Sequence, residues 1–207
     1  IMTFNNHKRW KKHILKLAKK INPTRALDIA TGTADIAIDL GSISDCIVTG
    51  VDISEKMLNV GREKIIKSNL TNSVILETGD AENLRFDDNY FDLITIGFGV
   101  RNFQDLKRGL NESFRVLKPK GTLIILETSV PQNIIIRFFY SLFTRTYIPL
   151  MARLFSKDLT AYNYLLNSAE VFPCGENFRN ILKSVGFNDV KIRPKFFGSS
   201  TIYIASK

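Results

Sequence analysis

Past residue 24 the chain alternates between short apolar runs and stretches whose apolar residues recur every three to four positions. Ala26–Ala30, Cys46–Val51, Ser73–Thr78, Phe91–Ile96 and Thr122–Glu127 are the short runs, and each reads as a strand bounded by turn residues. Ala34–Leu40, Glu55–Lys67, Asp105–Val116 and Gly175–Val185 carry the helical period. Strand and helix in alternation are the signature of a parallel sheet joined by crossover helices. Upstream, residues 5 to 21 predict an amphipathic helix with Trp10, Ile14, Leu15, Leu17 and Ala18 on one side. Asn22-Pro23 stops it, and its apolar side would cover one face of the sheet. Lys118-Pro119-Lys120-Gly121 reads as a turn, and Val190–Arg193 with Ser200–Ala205 as a closing hairpin.

In open α/β sheets ligands bind beyond the carboxyl ends of the strands, so the residues just after each strand are the ones to inspect. After the first comes Thr31-Gly32-Thr33. A glycine ahead of a helix N-terminus lets a ligand approach free backbone N–H groups with no Cβ in the way. Only one glycine of the dinucleotide fingerprint G-x-G-x-x-G is present, with Ala34 where another would stand, which favours a nucleoside reader over a pyrophosphate reader. Taken alone, Gly32 also suits any α/β turn. After the second strand, Asp52 lies 17 residues beyond Asp35, close to the offset at which an acid accepts the two hydroxyls of a ribose. Its alternative role is a helix N-cap, for which Ser54 is better placed. After the third, Gly79-Asp80-Ala81 offers a carboxylate for an exocyclic amine beside a small residue with a free N–H. After the fourth, Gly97 and Gly99 permit close approach, and Arg101 and Asn102 add hydrogen-bonding groups.

Composition narrows the class. At 207 residues the chain is long enough for one domain with a full core, 1–207, carrying a helical insertion at about 131–170. No run approaches the ~20 apolar residues of a membrane span, and Lys8 to Lys20 lacks the unbroken apolar core of a signal peptide. Cys46 and Cys174 are far apart and near no ligand cluster, so no metal site is expected and a reducing cytoplasm fits. Position 1 is Ile rather than Met, and a true start upstream is expected. The net charge of +9 is uneven: residues 1–25 and 134–157 hold basic residues and no acid. Such segments attract nucleic acid or an anionic membrane surface, although a solvated helix face is the commoner role for either one alone.

The strings D-I-A-T-G-T-A-D, V-D-I-S-E-K-M-L-N-V-G-R-E-K, G-D-A-E-N-L-R-F-D-D-N-Y-F-D, F-G-V-R-N and R-V-L-K-P-K-G-T-L-I-I-L-E resemble the ubiquinone/menaquinone biosynthesis C-methyltransferase family. The resemblance continues through Ala161-Tyr162-Asn163-Tyr164-Leu165, Phe172-Pro173 and Gly186-Phe187. It implies a Rossmann-like class I methyltransferase: a mostly parallel seven-stranded sheet, helices on both faces and an antiparallel closing strand. It implies S-adenosylmethionine as methyl donor, with donor-binding candidates Asp28, Gly32, Thr33, Asp52, Ile53, Asp80, Ala81 and Gly97. At Gly97 relatives often have serine, and Ala34 replaces the usual glycine. Relatives carry further N-terminal residues that form part of a lid.

The family reaction methylates a ring carbon of a polyprenylated quinol, the reduced ring being the nucleophile. No histidine offers itself as a base near the expected cleft, so Arg101 and Asn102 are the catalytic candidates, stabilising a developing phenolate or orienting a water. Naphthoquinol, giving menaquinol, is preferred over benzoquinol. Residues 134–155, aromatic with interspersed arginines, read either as a greasy mouth resting on anionic headgroups or as an insertion packed on the sheet. The expected partners are the polyprenylated quinol, an anionic surface on the inner face of the cytoplasmic membrane, and a second copy in a homodimer. A nucleic-acid methyltransferase competes on charge, but the N/D-P-P-Y type of motif is absent after Ile96. A non-enzymatic assembly subunit with a vestigial pocket is the third reading.

Overall fold

A computed structural model describes residues 6–131, 133–142, 146, 168 and 171–207. The elements in order are α1 (Asn6–Ile21), β1 (Arg25–Ile29), α2 (Asp35–Gly41), β2 (Ile47–Asp52), α3 (Glu55–Lys67), β3 (Val74–Thr78) and β4 (Phe91–Gly97). There follow α4 (Leu106–Val116), β5 (Leu117–Thr128), α5 (Ile134–Leu142), α6 (Glu176–Val185), β6 (Asn188–Lys195) and β7 (Ser200–Ser206). The strands form one seven-stranded sheet in the order β3-β2-β1-β4-β5-β7-β6. β1 to β5 pair in parallel, and β7 runs antiparallel to both β5 and β6, so β7 alone opposes the rest. Strand order reverses between β1 and β4, which makes the carboxyl ends of β1, β2 and β4 the place for a ligand. Of the insertion expected at about 131–170, only α5 and isolated positions are described. Its remainder, with Arg145, Arg153 and the A-Y-N-Y-L string, lies outside the described residues.

Two apolar layers sandwich the sheet, because its strands are buried on both faces. One packs Leu110, Val116, Phe178 and Leu182 of α4 and α6 against Leu27, Ile94 and Ile125. The other packs Trp10, Ile14 and Ala18 of α1 with Ala37 and Leu58 against Ala26, Val48 and Ile124. Trp10, Ile14 and Ala18 stand four residues apart, so one helix face is buried; an aspartate at Ile14 would forfeit about 2 kcal/mol of burial and strand a charge.

The turn expected at Lys118–Gly121 is a bulge inside β5. Phe91 pairs with Leu117 and Leu93 with Thr122, so four residues of β5 oppose Asp92 alone. Lys120 takes a left-handed φ of 66°, its N–H reaches the Lys207 carbonyl, and Lys118 pairs with Asp92 at 2.6 Å. The turn residues therefore do their local work without ending the strand. Pro194 is tolerated because β6 is a sheet edge.

Candidate functional site

The loop after β1 is built on alternating left-handed residues: Ala30 at φ 53°, Gly32 at 56° and Ala34 at 62°. Two of the three positions that suit glycine are filled by alanine, each at a cost of about 1 kcal/mol that the surroundings must offset. Asp28 is one such compensation. Buried at the core of β1, its carboxylate accepts from the Thr31 and Thr95 hydroxyls, both at 2.6 Å, tying the loop to β4. Burial pushes the Asp28 carboxyl up to about 6, against the pull of those two hydroxyls.

Asp52, at the end of β2, accepts from the Gly32 N–H at 2.8 Å and the Ser54 N–H at 2.9 Å, one on each oxygen. Ser54 occupies the N-cap position of α3 but makes no side-chain cap bond, so Asp52 serves the loop and keeps lone pairs for a ligand. Thr33 turns its hydroxyl to Lys64, which also holds the Thr33 carbonyl and Asp35. Lys11 of α1 closes the same cluster on Asp35 at 3.0 Å.

A cavity of about 200 Å³ lies over the carboxyl ends of β2 and β4, and Asp52, Ile53, Asp80, Ala81, Asn102 and Phe103 line it. The two acids expected to grip a nucleoside are thus on one cavity. Asp80 is exposed, with one oxygen accepting the Glu82 N–H at 2.9 Å. Glu82 completes three carboxylates in the lining, which among the described residues includes no lysine or arginine. The site fits a ligand that carries hydroxyl and amine donors and a positive charge.

Asp28, Gly32, Thr33, Gly97 and Arg101 do not line this cavity. Asp28 and Gly32 act behind it, through Thr31 and Asp52. At Gly97 a Cβ would fall 2.4 Å from the Ile36 Cδ1, so α2 already fills that space. Arg101 stands in the short 3-10 turn Val100–Asn102 and points into the protein, where its guanidinium meets Glu127. It is thus a buried partner of Glu127, unlike the cleft-facing arginine expected from its place in the loop. Glu127, which the pattern alone did not single out, is fully buried at the end of β5; an acid closing the run I-I-L-E was the available signal. Phe103 was likewise unmarked, whereas Gly99 was expected to permit close approach. Gly99 is needed because a Cβ there would sit 2.4 Å from the Ala30 Cβ.

Known proteins resemble the sequence, and others share the fold. A demethylmenaquinone methyltransferase of Bacteroides fragilis is 40% identical over 199 residues, 96% of this chain and 81% of that protein. Another, from Chlorobaculum tepidum, is 42% identical over 183 residues, 88% of this chain and 73% of that one. Among solved structures, a SAM-dependent methyltransferase from Aquifex aeolicus shares the fold with a TM-score of 0.66 at 19% identity, covering 92% of this chain and 87% of that one. The model of one family spans every residue from 1 to 207, the strand-end strings that build the cavity included, and the chain belongs to that family, the ubiE/COQ5 methyltransferases.

Proposed function

We propose that this chain transfers a methyl group from S-adenosylmethionine to a ring carbon of a polyprenylated quinol, demethylmenaquinol in the first place. The observation that carries the reading is the cavity with three carboxylates and, among the described residues, no cation in its lining, in a chain whose net charge is +9. Such a lining repels phosphate and suits a sulfonium. When bound, the donor supplies a methyl group already activated by the positive sulfur.

The residues divide the remaining work. Asp52 holds a ribose diol with the lone pairs left free by Gly32 and Ser54. Asp80 and Ala81 meet an adenine edge, and Ile53, largely exposed on the cavity rim, covers its face. Asn102, in the same lining, orients the quinol hydroxyl toward a water that takes its proton, which turns the ring into a carbon nucleophile. Arg101 stands behind Asn102 with its charge fixed by Glu127, and supports the negative charge that develops on the ring oxygen. The isoprenoid tail implies delivery from a bilayer, so the chain works in the cytoplasm against the inner membrane face.

The test is to incubate purified protein with labelled donor and chemically reduced naphthoquinol, benzoquinol and transfer RNA in parallel. Label on naphthoquinol is expected. Label on benzoquinol alone would move the substrate, and label on RNA alone would overturn the reading.

A further inference from the structure

The register of β5 and β7, with Thr128 opposite Ser200, puts the β6–β7 turn at the same end of the sheet as the donor cavity. That turn is Phe196-Phe197-Gly198, and both phenylalanines sit at left-handed φ, 43° and 56°. Non-glycine residues there are strained, and the outcome is that Phe197 is held 74% exposed, its ring 5.7 Å from that of Phe196. Beside it opens a second cavity of about 670 Å³, lined by Phe197, Pro194 and Ile192 from the hairpin and by Asn133 and Ile136 from the α5 region. α5 presents Ile134 and Ile135 to solvent, 71% and 65% exposed. Bulky apolar side chains are thus exposed around one mouth, more than scattered surface residues would explain.

Cations flank the same turn. Along the edge strand β6, Val190 and Ile192 pack inward while Lys191, Arg193 and Lys195 take the alternate positions. Lys191 pairs with Asp189; Arg193 and Lys195 have no ion pair among the described residues. His13 of α1 is held below its ordinary value by burial first and then by the positive charges of Lys195, Arg193 and Lys16. Lys12, Lys16, Lys19 and Lys20 are exposed on α1. An edge strand bearing cations is also a guard against strand pairing. That role does not account for an exposed aromatic turn at its end.

We propose that this face, with Phe197 and α5 as apolar anchors and Arg193, Lys195 and Lys16 as headgroup contacts, docks the carboxyl end of the sheet on an anionic bilayer, the larger cavity opening toward the lipid. The proposal rests on the quinol reading, for which it names the surface that meets the membrane. Aromatic and aliphatic side chains beside a cationic rim match the boundary between acyl chains and anionic headgroups. Nucleic acid would use the cations but leave the aliphatic side chains of α5 in water.

The experiment is co-sedimentation of the full chain with phosphatidylglycerol or phosphatidylcholine vesicles, alongside Phe197→Ser, Arg193→Glu with Lys195→Glu, and Phe197→Trp. Binding to the anionic vesicles should exceed that to the zwitterionic ones by about tenfold or more, and fall at about 1 M salt, where the screening length is about 3 Å. Phe197→Ser and the charge reversal should each weaken it about tenfold or more. The natural tryptophan, Trp10, is buried, so a tryptophan at 197 is a separable reporter, and its emission should shift to the blue with anionic vesicles. Unchanged emission in a chain that sediments, equal binding by the variants, or no vesicle binding would each overturn the proposal. So would a dimer or an RNA complex that Phe197→Ser disrupts while vesicle binding persists. Methyl transfer to a short-tailed soluble naphthoquinol separates the two readings. Vesicle binding without methylation upholds the docking face and sinks the quinol reading; methylation without vesicle binding does the reverse.

Discussion

Arg101 and Glu127 form an ion pair that is almost entirely withdrawn from water. The arginine side chain is 9% exposed and the glutamate 0%, and the Arg101 N–H and the Thr128 N–H also donate to the Glu127 carboxylate. β4 and β5 are parallel neighbours whose ends lie side by side, so the pair locks the F-G-V-R-N loop to the strand beside it. Removing one member of a buried pair typically costs about 3–5 kcal/mol, because the other charge is left alone.

Arg101→Met is therefore expected to lower thermal stability by that order, and Arg101→Met with Glu127→Gln to recover most of it. Turnover should stay low in both variants if Arg101 supports the developing phenolate. Donor affinity by calorimetry should stay near the original, since neither residue lines the donor cavity. Equal loss of affinity and turnover would contradict the assignment.

The two acids of the donor cavity differ in structural debt. Asp52 also accepts from Gly32 and Ser54, whereas Asp80, among the described residues, accepts only from Glu82 within its own turn. Each substitution to alanine should weaken the donor about 10- to 100-fold, the loss expected of hydrogen bonds to a charged group. A melting curve distinguishes them: Asp52→Ala should also lower the midpoint, and Asp80→Ala should leave it nearly unchanged.

Gly99 and Ala30 form a coupled pair. Gly99 has an ordinary negative φ of −107°, so only the Ala30 methyl excludes a side chain there. Gly99→Ala is expected to cost about 1–3 kcal/mol by overpacking. Adding Ala30→Gly clears the space and relieves a φ of 53°, so denaturant titration of the double variant should show stability returned close to the original.

Asp28 sets a pH dependence. Its folded-state value of about 6 lies above the ordinary 3.8, so the folded protein holds this proton more tightly than the unfolded chain. The contribution is complete below about pH 4 and is lost as pH rises to about 6, amounting to roughly 3 kcal/mol. In Asp28→Asn, melting midpoints measured across that window should lack this component; an unchanged profile would show that Asp28 is not its source.

The described parts of the chain show where sequence reading succeeds. Runs such as R-A-L-D-I and F-D-L-I-T-I-G can only be strands of a two-faced sheet, because so many apolar residues in so short a span need cover on both sides. The ends of α3 and α4 were legible from the helical period. The bulge at Lys118–Gly121 was not, since a turn signal says how the chain bends and not whether its neighbours keep pairing across the bend.

By itself the sequence determined the alternation of strands and helices, the placement of Gly32, Asp52, Asp80 and Asn102 after successive strands, and membership of a family whose strings it carries. Tertiary structure alone decided which of those residues share a cavity and which stand behind it. Arg101 follows the same positional rule as Asp52 and Asp28 was implied by the resemblance, yet the Asp28 carboxylate is sealed between threonines and the Arg101 guanidinium is turned inward to Glu127. The physical reason is that local pattern fixes how the backbone runs, while the partner that satisfies a polar side chain comes from a strand distant in sequence: 67 residues separate Asp28 from Thr95, and 26 separate Arg101 from Glu127.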